Sequence, residues 1–231
     1  MRPREAGVGL IELMLALVLG GLLVLGVTQV FLSARDTYLA QRASAMAQED
    51  ARFVMSKIAQ EIRMVGMFGC LAIDSIVDAP FAFQTPISWQ RDTDAKAWTF
   101  ISASVGMQGV RPDWTVVSDC KSAARAYPGQ RFSLAPDEMA FPVRRVIYWF
   151  ENGQLKVGTN KAVLLDNVAV FDVSFGMASS ASSSSVQRYE DAPADLASIR
   201  SVRIRLSLKD PKGRVKDQPY NLVVALRNRL G

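Results

Sequence analysis

The chain has 231 residues, with 27 Lys and Arg against 22 Asp and Glu, which gives a formal net charge of +5. This modest and dispersed excess argues against a dedicated nucleic-acid-binding protein. The sequence contains no histidine, so His-based metal sites, Ser-His-Asp triads and imidazole general bases are excluded. We therefore expect neither an enzyme nor a bound cofactor.

The first predicted element is an apolar helix over residues 10–32. These 23 residues would form a helix of about 35 Å, which is long enough to cross a bilayer. Arg2 and Arg4 precede the run, so the positive-inside rule predicts a cytoplasmic N-terminus. A cleaved secretory signal fits poorly, because its apolar region has only about 7–15 residues. We expect a retained, single-pass span.

Glu12 is the only charged residue in this apolar run. A charge in hydrocarbon costs at least about 2.5–3.5 kcal/mol. The stretch Gly7-Val8-Gly9-Leu10-Ile11-Glu12-Leu13 resembles the type IV prepilin signature, in which a membrane peptidase cuts after the glycine and methylates the new amine. The resemblance implies that residues 1–7 are a leader, that the cut falls between Gly7 and Val8, and that Val8 is N-methylated.

The same resemblance gives Glu12 a role in subunit docking. After the cut, the Val8 ammonium would lie four residues before Glu12, about 6 Å along the helix axis. Helical side chains lean toward the N-terminus, so the Glu12 carboxylate could pair with its own amine or, as in the pilin family, with that of an adjacent subunit. The alternative interpretation is that Glu12 simply extends to the lipid headgroups, two residues away.

Beyond the span, apolar residues recur every three to five positions, which predicts that the helix continues to about residue 66 as an amphipathic helix. We expect its lower half to join a helix bundle and its upper half to pack on the protein's own head. The predicted apolar stripe consists of Leu39, Ala43, Met46, Phe53, Ile58, Ile62 and Val65.

Two further stretches resemble one group of pilins. Residues 48–70, QEDARFVMSKIAQEIRMVGMFGC, are similar to the helix end of PilW-type minor pilins, and the terminal VALRNR resembles the last strand of that group. Gly66 and Gly69 are expected to end the helix. The resemblance implies a type IV pilin-like α+β fold, in which the long helix of residues 8–66 packs on an antiparallel sheet in a periplasmic or extracellular head of residues 67–231.

Cys70 and Cys120 are the only cysteines. A domain beyond a membrane anchor faces an oxidising compartment, where such a pair usually forms a disulfide. A redox pair is the alternative, but the spacing gives no Cys-x-x-Cys motif.

The head divides into an irregular part and a strand-rich part. Prolines interrupt residues 71–135, where Trp89, Trp98 and Trp114 are expected to pack in a loop-rich core. Asp92 and Asp94 fit a solvated turn better than a calcium loop, because no glycine or bidentate glutamate follows at the required spacing.

Strand signals become clear from residue 143. Asn152-Gly153 predicts a type I′ hairpin, and residues 178–185 predict a flexible polar loop. Residues 168–177 alternate as a strand, with Val168 opposite the face of Phe171. The strand near residue 204 has apolar residues on one face and basic residues on the other. We interpret the basic face as the solvent-exposed side of an antiparallel sheet rather than as a DNA-binding site. The basic residues are Arg203, Arg205 and Lys209, with Arg227 and Arg229 nearby.

The resemblances together imply a minor pilin that helps to prime and assemble a type IV pilus. The expected partners are other minor pilins, the major pilin, a tip adhesin, prepilin peptidase and the inner-membrane assembly platform. The protein would reside in the inner membrane before assembly and at the pilus tip afterwards. The alternatives are a type II secretion pseudopilin and a periplasmic binding module on an uncleaved anchor.

Overall fold

The computed structural model describes residues 9–91, 96–103, 111–131 and 133–228. One helix, α1, runs from Leu10 to Met64 over 55 residues, a length of about 83 Å at 1.5 Å per residue. It is followed by a head built from two β-sheets. The predicted α+β, pilin-like fold with a long N-terminal helix on an antiparallel head is confirmed.

The larger sheet has eight strands in the order β1-β5-β4-β6-β3-β2, and β7 and β8 continue from one end of β6. All neighbours are antiparallel except β1 and β5. Asn152 and Gly153 have φ values of 53° and 70°, as a type I′ turn requires, so the predicted hairpin is confirmed. The strands are β1 Ile76–Val77, β2 Ile87–Arg91, β3 Lys96–Ala103, β4 Trp114–Ser118, β5 Ala124–Pro128, β6 Met139–Glu151, β7 Gln154–Val157 and β8 Ala162–Leu165.

The smaller sheet is antiparallel throughout, in the order β10-β9-β11-β12. Its strands are β9 Val168–Met177, β10 Arg188–Glu190, β11 Ile199–Leu208 and β12 Gln218–Ala225. The predicted apolar face of β11 is confirmed, because Val202, Ile204, Leu206 and Leu208 are all buried.

The predicted placement of Val168 is wrong. Its side chain is buried in the same core as Phe171 instead of lying on the opposite face. The register between β9 and β11 shifts between Ser207 and Leu208, and such a bulge interrupts the two-residue alternation of a strand. Val168 therefore turns into the core.

The head contains two apolar clusters. The first fills the space between the upper half of α1 and both sheets, and includes Ile58, Ile62, Trp98, Phe171 and Ile204. The second lies under the chain that follows α1, where the rings of Phe68 and Phe83 stack at 4.0 Å.

The three tryptophans pack in the core as expected, but they lie in strands β2, β3 and β4, so the expected loop-rich core is wrong. Trp98 is fully buried, Trp89 meets it edge to face at 6.3 Å, and Trp114 meets Phe83 at 5.5 Å. Asp92, Asp94 and Arg229 lie outside the described residues, so the predictions made for them stay predictions.

The predicted loop of residues 178–185 is confirmed as a connection without strands. Its backbone is anchored by Arg200, whose guanidinium donates hydrogen bonds to the carbonyl oxygens of Ser180, Ala181 and Ser183 at 3.3, 2.6 and 2.6 Å. Composition alone did not indicate this anchor.

Candidate assembly helix

The first half of α1 stands free of the head. Its most apolar window has a mean hydropathy of 2.6 and no buried residue, and within the described part of the chain α1 is the only helix apolar and long enough to cross a membrane. Large apolar side chains such as Ile11 and Leu17 are 81% and 75% exposed. A surface this apolar requires lipid or other helices around it.

Glu12 lies in the first turn of this free segment, and its side chain is exposed. Its backbone N–H donates to the Gly9 carbonyl oxygen at 3.0 Å. Glu12 is therefore already part of the hydrogen-bonded first turn of the helix. Helix N-termini favour negative charge. Gly7 and Val8 lie outside the described residues, so the cleavage site and the methylated residue stay predictions.

Small residues follow Glu12 on the same free segment. A Cβ added at Gly20, Gly21 or Gly26 would meet nothing within 4 Å. Ala16 and Gly20 form a small-xxx-small pair, the type of surface that lets two membrane helices approach closely. The head does not obstruct such an approach.

The upper half of α1 is fixed to the head at both ends. Near its lower end, Gln218 Nε2 donates to Ser44 Oγ at 2.7 Å, and at the top Asn228 Nδ2 donates to the Val65 carbonyl oxygen at 3.2 Å. Between these points the side chains of Ala51, Val54, Ile58 and Ile62 are buried. The head therefore holds the helix rigidly above the free segment.

The predicted stripe is wrong at Phe53, which is 61% exposed and lies on the side away from the head. Met46 is 55% exposed but lies at the edge of the contact between helix and head, where it lines a groove with Leu208 and Pro211. Phe53 and buried Ile58 are five positions apart, and at 100° per residue this spacing places their side chains about 140° apart around the helix. Ala51 and Val54 occupy the buried face instead.

Met46 and Phe53 belong to a second apolar stripe that the sequence interpretation missed. Seven apolar residues recur at intervals of seven, and at least six of them are largely exposed. An apolar repeat of seven residues is the pattern of a seam between helices. This spacing could have revealed the second stripe from the sequence alone. The stripe consists of Ile11, Val18, Leu25, Leu32, Leu39, Met46 and Phe53.

The predicted disulfide between Cys70 and Cys120 is present, with Cα atoms 5.4 Å apart. It joins the turn after α1 to the loop after β4. In that loop the Asp119 carboxylate accepts hydrogen bonds from the backbone N–H groups of Lys121, Ser122 and Ala123. These bonds, the one from Ala123 most of all, hold the pKa of Asp119 well below its usual range.

The part of the chain that the structure describes contains no cluster of three or more acidic or sulfur side chains that could hold a metal ion. The basic face of β11 is engaged in local contacts. Arg203 donates to Ser174 Oγ at 3.0 Å and stacks over the Tyr189 ring at 4.2 Å, and Arg205 pairs with Asp172 at 3.5 Å.

Residues 2–28 match the family model described as the prokaryotic N-terminal methylation motif. The chain carries a prepilin-type signature. Type IV pilins and pseudopilins share this signature, so the match supports a pilin-like or pseudopilin protein with a membrane anchor. The signature implies processing by prepilin peptidase and assembly with pilins in a membrane system. Comparisons with curated proteins and with solved structures give no significant match.

Proposed function

We propose that this protein is a PilW-like minor pilin, which helps to prime and assemble a type IV pilus and is incorporated at or near the tip with other minor pilins and an adhesin. The observation that carries the proposal is the free apolar half of α1 with Glu12 in its first turn, within the methylation motif. This half of the helix is not buried by any described part of the head, and an apolar surface of this kind favours lateral packing against other helices.

The docking mechanism follows from charge and packing. Cleavage between Gly7 and Val8 would create an ammonium close to Glu12 in the chain. An unpaired carboxylate in the membrane is costly, and pairing with a neighbour's ammonium reduces that cost while setting the axial register of two helices. Close packing at Ala16 and Gly20 would then hold the helices together.

A type II secretion pseudopilin is the second candidate, because it would carry the same N-terminal motif. The PilW-like stretch at residues 48–70 and the terminal VALRNR favour the pilus. A binding module on an uncleaved anchor is less favoured, because it gives no role to Glu12 within a matched methylation motif.

Mass spectrometry of the N-terminal peptide of the membrane-extracted protein tests the processing step. We expect a peptide that begins at Val8, with or without an added methyl group. A chain that still begins at Met1 in cells with active prepilin peptidase would overturn the assembly role. Deleting the gene then separates the two machines, because loss of surface pili indicates the pilus and loss of protein secretion indicates the pseudopilin.

A further inference from the structure

The smaller sheet ends in an open edge, the outer side of β12. The Leu226 N–H donates to the Arg200 carbonyl oxygen, and these residues continue the antiparallel register of β11 and β12. Backbone groups alternate sides along a strand, so even-numbered residues of β12 bond to β11. The N–H and C=O groups of Asn221, Val223 and Ala225 therefore point away from the sheet, and no hydrogen bond to them is formed within the described residues.

The other sheet edges in the described ranges are short or charged. β1 has two residues, β10 has three and includes Arg188 and Glu190, β8 has four, and β2 has five. β12 has eight residues, Gln-Pro-Tyr-Asn-Leu-Val-Val-Ala, without a single charge. Proteins usually protect long edges with charge, bulges or brevity. Pro219 blocks only the first outward position, so the remainder of the edge is available to another strand.

The direction of β12 restricts what can pair with it. The strand begins beside Ser44 and ends near Val65, so it runs in the same direction as α1. An antiparallel partner strand must therefore run toward the membrane end of the helix. The β12 strand of a second copy cannot pair in the antiparallel sense, because its membrane helix would be inverted, and parallel pairing of two β12 strands would form the less stable type of ladder. The β10 strand of a second copy has the right direction, but its three residues include two charges.

We propose that β12 binds an antiparallel edge strand from a different pilin-type subunit anchored in the same orientation. This inference rests on the proposed function and names how the heads join. The incoming strand would place apolar side chains beside half-buried Tyr220 and Leu222, and polar side chains on the outer face beside exposed Asn221. Main-chain hydrogen bonds would supply the affinity, as in other cases of strand addition.

Site-specific photocrosslinking in producing cells tests the inference with the full chain. A benzophenone amino acid is placed at Val223 on the outer face of β12, and at Val163 on β8 as the matched control, since these residues are 56% and 54% exposed. A third probe at Leu25 reports helix docking independently. Adducts are identified by mass spectrometry.

We expect an adduct at Val223 with a protein that carries its own prepilin signature, and none at Val163. An adduct at Leu25 without one at Val223 would overturn strand addition and leave the assembly role intact. If neither Val223 nor Leu25 gives an adduct, both strand addition and the assembly role are contradicted. An adduct between two copies of this chain at Val223 would overturn the choice of partner.

A pair of substitutions then separates backbone from side-chain recognition. Val223→Pro removes an outward N–H but no bond to β11, whereas Val223→Thr keeps the N–H and the strand propensity. We expect Val223→Pro to lower recovery of the identified partner by about tenfold, the effect of one lost hydrogen bond, and Val223→Thr to leave it unchanged. An unchanged melting temperature verifies folding, and equal recovery by both folded variants would overturn the proposal.

Discussion

The Tyr148 hydroxyl donates a hydrogen bond of 2.5 Å to Oε2 of Glu61, which joins the centre of the larger sheet to the upper half of α1. Lys57, one turn earlier, contacts the other carboxylate oxygen at 2.8 Å. Tyr148 is fully buried, and burial is the main reason that its pKa is raised far above the usual value, with the nearby Glu61 charge adding to the effect. The contact is one of the polar links that join the helix to the head.

We expect Tyr148→Phe to lower the free energy of unfolding by about 2 kcal/mol, the contribution of a hydrogen bond to a charged group. Thermal unfolding of the detergent-solubilised chain measures the change. Tyr38→Phe is the matched control, because Tyr38 lies on the same helix, is 61% exposed, and has no hydroxyl partner among the described residues. Equal melting temperatures for Tyr148→Phe and the native chain would contradict the assignment.

The difference in stability between the native chain and Tyr148→Phe should depend on pH. The folded-state pKa of Tyr148 is raised, so its contribution is fully present below the unfolded value of about 10. Above pH 10 the unfolded chain loses a proton that the folded chain retains, and stability falls as pH rises. The advantage of the native chain over Tyr148→Phe should therefore narrow between pH 10 and 11.

The disulfide leads to a second prediction. It closes a loop of about 50 residues, and in the chain-entropy model this stabilises the fold by about 4 kcal/mol. The double variant Cys70→Ser/Cys120→Ser should unfold at a clearly lower denaturant concentration than the native chain, and reduction of the native chain should reproduce the loss. Thiol titration of the unreduced, denatured chain should find no free thiol. Two titratable thiols would show that the bridge does not form.

The strand-rich half of the head could be predicted because its signals are local. Asn152-Gly153 specifies a turn on its own, and the alternation of β11 specifies its buried face. The strands between residues 71 and 135 could not be predicted, because they are short, are interrupted by prolines and are paired over long distances, as Trp114 pairs with Val143. Pairings of that kind leave no local pattern in the sequence.

The faces of α1 show a second limit of prediction from the sequence. The helix is apolar on two sides, and sequence periodicity does not decide which side receives the head. The head selects Ala51 and Val54, small side chains that allow close packing, and leaves bulky Phe53 outside. The N-terminal methylation motif could be recognised from the sequence, because Glu12 is a single charge in an apolar run.

Phe53 gives a third prediction. If the second apolar stripe contacts partner helices, Phe53→Ala should reduce assembly several-fold, measured as surface pili or as secreted substrate, without changing the stability of the isolated chain. Phe81→Ala is the matched control, because Phe81 is 76% exposed and lies on the head, in a short 3-10 helix away from the stripe. Equal assembly by both variants would show that Phe53 makes no contact that assembly requires.

Glu12 gives the fourth prediction, and the substitution decides between its two interpretations. Glu12→Gln keeps the shape and removes the charge. If Glu12 pairs with a neighbour's amine, processing to Val8 should continue while assembly falls sharply, since one ammonium is left without its counter-charge. If Glu12 only extends to the headgroups, removing the charge should ease insertion and leave assembly intact. Gln29→Ala, a polar position in the same run, is the control and should assemble normally. Mass spectrometry of the N-terminal peptide, combined with counts of assembled fibres, separates these outcomes.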